Sequence, residues 1–329
     1  MVGSGLPFLI PGRRLPRMRR RDAVYLGTLA GLMALLAVLA WGLNRLYRPE
    51  LEALFGPVVE VRQTRVQDLY VGRKDGMTFL CAGSLFVRYN VQDDADPERF
   101  VLEYPAMLLF PTAYVAEPES ALVIGVAAGK VPGFLHRHYP GMDITCAAFD
   151  AEVPEVAEKW FGFSPDARMR VVVNDGRVFL AGAEERWDII VVDAYNGREM
   201  PFHMATREFL ELVRSHLTEK GVLAMNTGKS PELAARLSAT FAEVFGHYDS
   251  YLAERAGNRI LVAGPGCPPR GRGELLAMMY ETMARKRFTE LRLPQMFRTM
   301  YDPASARRPD APVLTDDYAP VNLLVPPPE

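Results

Sequence analysis

Residues 122–130 read Leu-Val-Ile-Gly-Val-Ala-Ala-Gly-Lys. An apolar run ends at Gly125, a second glycine follows at Gly129, and a helical stretch comes next. That is how a nucleotide-binding strand, loop and helix begins, with backbone N–H groups free to meet a phosphate or nucleoside. The middle of this loop holds Val126, Ala127 and Ala128, where such loops carry further glycines and often a carboxylate. Two aspartates downstream stand at the ends of elements. Asp175 precedes Gly176 at a strand-to-helix turn, a position where aspartate caps a helix. Asp193 ends the run Trp187-Asp-Ile-Ile-Val-Val-Asp193, where a carboxylate can fix the loop that follows.

No metal chemistry is legible. The three cysteines, Cys81, Cys146 and Cys267, lie far apart without a CxxC spacing, so neither a disulfide framework nor a zinc site is expected. His136 and His138 share a segment but not a helical face, and His203, His216 and His247 stand alone. Acidic residues outnumber basic ones, 40 to 38, and no basic patch interleaved with aromatics occurs. Nucleic acid is therefore not an expected partner.

The elements that must position these residues alternate. Strands are expected over 121–126, 143–149, 169–173, 188–193 and 221–226, separated by helices over 129–138, 151–161, 177–183, 204–217 and 230–245. Such alternation means a parallel sheet covered on both faces. Two short strands near 248–254 and 258–263, joined through Ala256-Gly257-Asn258, read as an edge hairpin. Before residue 99, β-forming runs at 58–61, 66–71, 77–80 and 85–89, with Lys74-Asp75-Gly76 as a turn, predict a small antiparallel sheet. Periodicity predicts a helix over 99–110.

Further upstream, residues 23–43 are uncharged and apolar, long enough to cross a bilayer as a helix and longer than the core of a cleaved signal peptide. Six arginines lie in residues 13–21, whereas Arg45 and Arg48 follow the span closely. The positive-inside rule then puts the N-terminus in the cytoplasm and the body on the other side of a bacterial-type inner membrane, probed by a single pass. Gly27 and Gly31 are spaced for close approach of another membrane helix. The expected organisation is a basic segment (1–22), a transmembrane helix (23–43), a linker (44–57), a small β-sheet domain (58–98) and an α/β domain (99–325).

Taken in order, Leu102-Glu103-Tyr104, the 122–125 loop, Phe149-Asp-Ala-Glu-Val-Pro-Glu-Val-Ala-Glu-Lys-Trp-Phe161, Asn174-Asp-Gly-Arg-Val-Phe-Leu180, the 187–197 strand and loop, residues 206–226 and Leu314-Thr-Asp-Asp-Tyr-Ala-Pro-Val-Asn322 resemble the spermidine synthase family, the polyamine aminopropyltransferases. The resemblance covers roughly residues 58–322. It implies an α/β fold with a Rossmann-like, seven-stranded, methyltransferase-type sheet and a small N-terminal β-domain, which the apolar run at 23–43 leads one to expect behind one transmembrane helix. It implies transfer of an aminopropyl group from decarboxylated S-adenosylmethionine to a diamine, which needs a carboxylate to take the amine's proton and further carboxylates around cationic substrates.

Placed on the family pattern, Gly125, Gly129, Asp150, Asp175 and Gly176 fall at donor-binding positions, Asp193 at the catalytic base, and Glu103 and Tyr104 at substrate-facing positions. Departures are equally specific. The aspartate of the family's GGGDGG-like loop is Ala128 here, its last glycine is Lys130, the carboxylate that grips the ribose hydroxyls is Ala148, and the second diamine-binding carboxylate is replaced by Asn196-Gly197. Losing one bidentate ribose acceptor costs about 1.5–3 kcal/mol. The expectation from sequence is a membrane-anchored protein of this fold that binds no cofactor, has lost catalysis, and acts as an accessory or structural subunit beside other membrane proteins. The alternative is an active aminopropyltransferase, or a related S-adenosylmethionine-type transferase, acting on a diamine with decarboxylated S-adenosylmethionine.

Overall fold

The computed structural model describes residues 56–321 apart from 198, 254, 303–309 and 320. The expected membrane span at 23–43 and the arginine-rich segment before it lie outside the described residues. Among the described residues no helix is long and apolar enough to cross a membrane.

The first sheet is antiparallel, in the order β1 (Val58–Arg62), β2 (Leu69–Lys74), β3 (Met77–Ala82) and β4 (Arg88–Asp93). β2 and β3 turn through Asp75 and Gly76, both with positive φ (52° and 73°), the backbone a two-residue hairpin needs to match strand twist. Leu69, Val71, Leu80 and Ala82 point inward and pack on Val153, Val156 and Phe161. Those three lie on α4 (Glu152–Phe161) of the second layer. Arg62 pins the same contact by reaching Glu152 and Glu155 at 2.8 and 2.7 Å.

Two short helices, α1 (Glu103–Met107) and α2 (Pro111–Tyr114), occupy the stretch read from sequence as one helix over 99–110. The proline positions explain the split. Pro105 has no N–H to offer residue 101, so the helix starts at 103, where a proline in the first turn costs nothing. Pro111 cannot donate to Met107, and the chain passes through tighter i to i−3 bonds from Leu109 and Phe110 before resuming.

The seven-stranded sheet has the order β10-β11-β9-β8-β5-β6-β7. Its parallel members are β5 (Ser120–Ile124), β6 (Asp143–Ala148), β7 (Met169–Val173), β8 (Trp187–Val192) and β9 (Leu217–Asn226), and β10 (Asp249–Leu252) and β11 (Arg259–Ala263) add an antiparallel edge. Every residue of β8 is buried, as a central strand covered on both faces requires. The crossover helices are α3 (Lys130–His138), α4, α5 (Gly176–Ala181), α6 (Arg207–Ser215) and α7 (Pro231–Phe245). α6 is shorter than sequence periodicity suggested, because Thr206 caps it by accepting from the Phe209 N–H and the residues before it form a 3₁₀ turn, Phe202–Met204. Two further helices, α8 (Arg272–Lys286) and α9 (Leu293–Met300), carry no counterpart in the sequence reading; α8 buries Leu275 and Met279, four residues apart, against the core shared with β9 and β11.

The chain runs outward from β5 to β6 and β7, then returns to β8 on the other side of β5. The carboxyl ends of β5 and β8 are therefore the point where strand order reverses, the place in an open α/β sheet where ligands bind.

Candidate active site

At that point Gly125 follows β5 and Asp193 follows β8. The Asp193 N–H donates to Ile124 O at 2.8 Å and the Gly125 N–H to Ala147 O at 2.9 Å, so three strand ends are laced together. Gly125 has φ 94°, and a Cβ there would sit 2.1 Å from Asp193 O. Only glycine allows the two loops to come this close. A cleft of about 710 Å³ opens above them, within the range of small-molecule sites.

Asp193 lies partly buried among Tyr89, Tyr104 and Tyr195 and lines the cleft. Burial pushes its pKa from 3.8 up to about 6, against the Asn226 amide, which donates Nδ2–H to Oδ1 at 2.9 Å and pulls it back. The Asn226 side chain is fixed by its own oxygen, which accepts from the Gly228 N–H at 3.0 Å and Asn258 Nδ2 at 3.2 Å. The loop after Asp193 is held from the small sheet. Tyr89 Oη donates to Tyr195 O at 2.6 Å and accepts from the Gly197 N–H at 2.8 Å and Gln67 Nε2 at 2.9 Å.

On the opposite wall, Asp150 and Asp175 bring two more carboxylates to the cleft. Asp150 accepts from Thr64 Oγ1 at 2.5 Å and from the Glu152 N–H at 3.1 Å. Asp175 does the capping expected of it, taking the Arg177 and Val178 N–H groups on Oδ1, and its other oxygen lies 2.9 Å from His203 Nε2. Gly176 lines the cleft, whereas Gly129, with φ 74°, packs beneath Phe163 and does not.

Two expectations need correction, and the residue at the loop's last glycine position needs placing. Lys130 does not face the cleft: at the first position of α3 its side chain leans back toward the helix start, where Nζ donates to Pro97 O and lies 5.4 Å from the Phe100 ring centre. Burial there lowers its pKa to about 8, and no repulsion of a cationic donor follows from it. Glu103 is likewise absent from the lining, because Arg255 takes its carboxylate at 2.8 Å. Tyr104 does line the cleft, donating its hydroxyl to Tyr89 O at 2.8 Å. Finally, His247 is not isolated: it meets Asp249 and Cys267.

Gln67, Tyr89, Tyr195, His203 and Asn226 were missed from sequence. Tyr195 and Asn226 had a usable signal, since each stands at or just past the carboxyl end of a central strand. Tyr89 and Gln67 come from the other sheet, and only the packing of that sheet on α4 brings them in. The positions of Ala128 and Ala148 are buried methyl groups, 3% exposed each, and supply no polar atom.

Comparison with known proteins bears on the family and the fold. The Spermine/spermidine synthase domain matches residues 104–253. A polyamine aminopropyltransferase of Vibrio vulnificus is 30% identical over 235 residues, 70% of this chain and 78% of that protein. The fold is similar to the spermidine synthase of Thermotoga maritima (TM-score 0.60, 18% identity, covering 75% of this chain and 85% of that one). It is also similar to human Methyltransferase-like protein 13 in complex with SAH (TM-score 0.51, 28% identity, covering 56% and 92%). With its cleft at the β5/β8 switch point and an aspartate at the end of β8, the chain belongs to the spermine/spermidine synthase family, alongside the polyamine aminopropyltransferases.

Proposed function

We propose that the chain is a transferase that moves an alkyl group from a nucleoside sulfonium of the S-adenosylmethionine type, decarboxylated as in the aminopropyltransferases, to an amine such as a diamine. The observation that carries this is Asp193. A carboxylate whose pKa sits near 6 is ionised at neutral pH yet basic enough to accept a proton from an ammonium as it is consumed. The Asn226 donor fixes one of its oxygens where the carboxylate lines the cleft.

The reaction balances without another co-reactant. The amine's ammonium proton passes to Asp193, the freed lone pair forms a bond to the carbon beside sulfur, and that carbon–sulfur bond breaks with its electron pair left on sulfur. A neutral thioether leaves. Before transfer, the sulfonium's positive charge falls in a cleft lined by Asp150, Asp175 and Asp193, whose carboxylates favour a cation over a neutral thioether.

The residues fit such a donor in part. Asp175, with His203, and Asp150 offer polar contacts for a nucleoside, and exposed Phe149 offers a flat apolar face. The ribose acceptor role has no side chain at Ala148; the cleft-lining carboxylate on that wall is Asp150, two residues on. A second reading is a non-catalytic accessory subunit, anchored in a membrane by residues 23–43 and associated with other membrane proteins. Ala128 and Ala148 favour it, and so does the arginine bias, which by the positive-inside rule would put the body away from a cytosolic nucleoside.

Calorimetry separates the two. The transferase reading expects decarboxylated S-adenosylmethionine or methylthioadenosine to bind with a dissociation constant below about 0.1 mM, about −5.5 kcal/mol. Absence of heat at millimolar ligand would leave the accessory reading standing.

A further inference from the structure

We propose that His247, Asp249 and Cys267 form a binding site for a borderline divalent cation, zinc in type, at the antiparallel edge of the sheet. Their ligand atoms all lie within 4.8 Å of one another. His247 Nε2 stands 3.7 Å from Asp249 Oδ1, and Cys267 Sγ stands 3.5 Å from Asp249 Oδ2. Bonds of about 2.0–2.3 Å from a tetrahedral zinc place its ligands roughly 3.3–3.8 Å apart, so little movement is needed to close the three around one ion. Imidazole, thiolate and carboxylate together select zinc-like ions over magnesium or calcium.

Three further observations point to a ligand rather than to an ordinary polar contact. His247 Nε2 is buried and has no hydrogen-bond partner, which is the state of a nitrogen that an ion would engage. Asp249 is held as ligating carboxylates are, by outer donors: Tyr114 Oη gives to Oδ2 at 2.6 Å and Tyr301 Oη to Oδ1 at 3.2 Å. Asp249 and Cys267 are each 2% exposed, whereas the His247 side chain is 31% exposed. An ion would therefore reach the site past the histidine, with the fourth position left to solvent.

The site is separate from the cleft. Asp249 opens β10, and the cleft-lining Asn258 lies beyond the other end of that strand, about 10 Å of strand away. His247 precedes β10 and Cys267 follows β11, so one ion would clip the two ends of the edge hairpin together. Binding exchanges the Cys267 thiol proton, released to solvent, for a metal–sulfur bond.

Cobalt titration of the untagged full chain, stripped of metal, tests this. One equivalent of Co²⁺ should bind and give the intense near-ultraviolet band of thiolate-to-cobalt charge transfer, and zinc should abolish it. Cys267→Ser should lose the band, and His247→Ala, altered at the exposed side, should weaken binding at least tenfold while its circular dichroism stays that of the unmodified chain. Zinc should raise the melting temperature of the unmodified chain but not of His247→Ala. No band at millimolar cobalt, or a band that survives Cys267→Ser, would overturn the site.

Discussion

Burial sets both the chemistry of Asp193 and its cost. Raising the pKa from 3.8 to about 6 corresponds to about 3 kcal/mol of disfavoured charge in the folded state. The sign follows from linkage. Below pH 4 the carboxyl is protonated whether folded or not and costs nothing; between 4 and 6 the folded chain holds the proton more tightly, and stability falls as pH rises through this window. Asp193→Asn should therefore abolish transfer, by at least a hundredfold, yet raise stability by about 1–3 kcal/mol above pH 6 and leave it unchanged near pH 4. Denaturant melts at the two pH values check it. The Asn226 amide acts in the opposite sense, because its donated hydrogen bond favours the carboxylate. Asn226→Ala should move the rising limb of the pH–rate profile above 6, a shift that a purely structural role would not produce.

Asp175 separates a helix cap from a ligand contact. Asparagine caps as well as aspartate does, so Asp175→Asn should change stability by less than about 0.5 kcal/mol while weakening nucleoside binding, and Asp175→Ala should cost about 1 kcal/mol more through the lost cap. Thermal melts alongside calorimetry distinguish the two substitutions.

Among elements, the best foreseen are those whose local pattern and tertiary setting agree. β7 runs over 169–173 as read, and β5, β6 and β8 differ by a residue or two at their ends, because buried parallel strands show as unbroken apolar runs between turn residues. The 99–110 segment failed because periodicity ignores missing proline N–H groups. Helices α8 and α9 were not read from sequence: α8 buries a narrow face, Leu275 with Met279, amid charged residues, and α9 is short with Pro294 in its first turn. At the site, the strand-end aspartates and Gly125 were legible because they punctuate single elements. The direction of Lys130, the capture of Glu103 by Arg255 and the arrival of Tyr89 were not, since each depends on which distant element packs nearby. The last of these yields a test at this scale. Tyr89 joins the small sheet to the loop after β8 through two hydrogen bonds, to Tyr195 O and from the Gly197 N–H, while Gln67 holds it from its own side. Tyr89→Phe should cost about 1–3 kcal/mol and raise KM for the amine more than it lowers kcat, as steady-state kinetics would show.

For the whole molecule, the proposed anchor makes location part of function. A chain beginning at Val58 should be recovered in the soluble fraction, and the full chain should need detergent. Orientation then bears on the two readings. Turnover in the cell requires the body to face the donor, so the transferase account expects it to be protected from protease added to intact spheroplasts. Degradation from outside would agree with the arginine count and support an accessory role.

The central claim is that Asp193 serves an amine-alkylating cleft, and product formation tests it most directly. Purified full chain mixed with decarboxylated S-adenosylmethionine and a diamine, followed by mass spectrometry of the amine, should show addition of one aminopropyl group and release of methylthioadenosine, with a rate that rises through pH 6 and is lost in Asp193→Asn. An unaltered amine with a folded, full-length chain, or equal product from Asp193→Asn, would contradict the account.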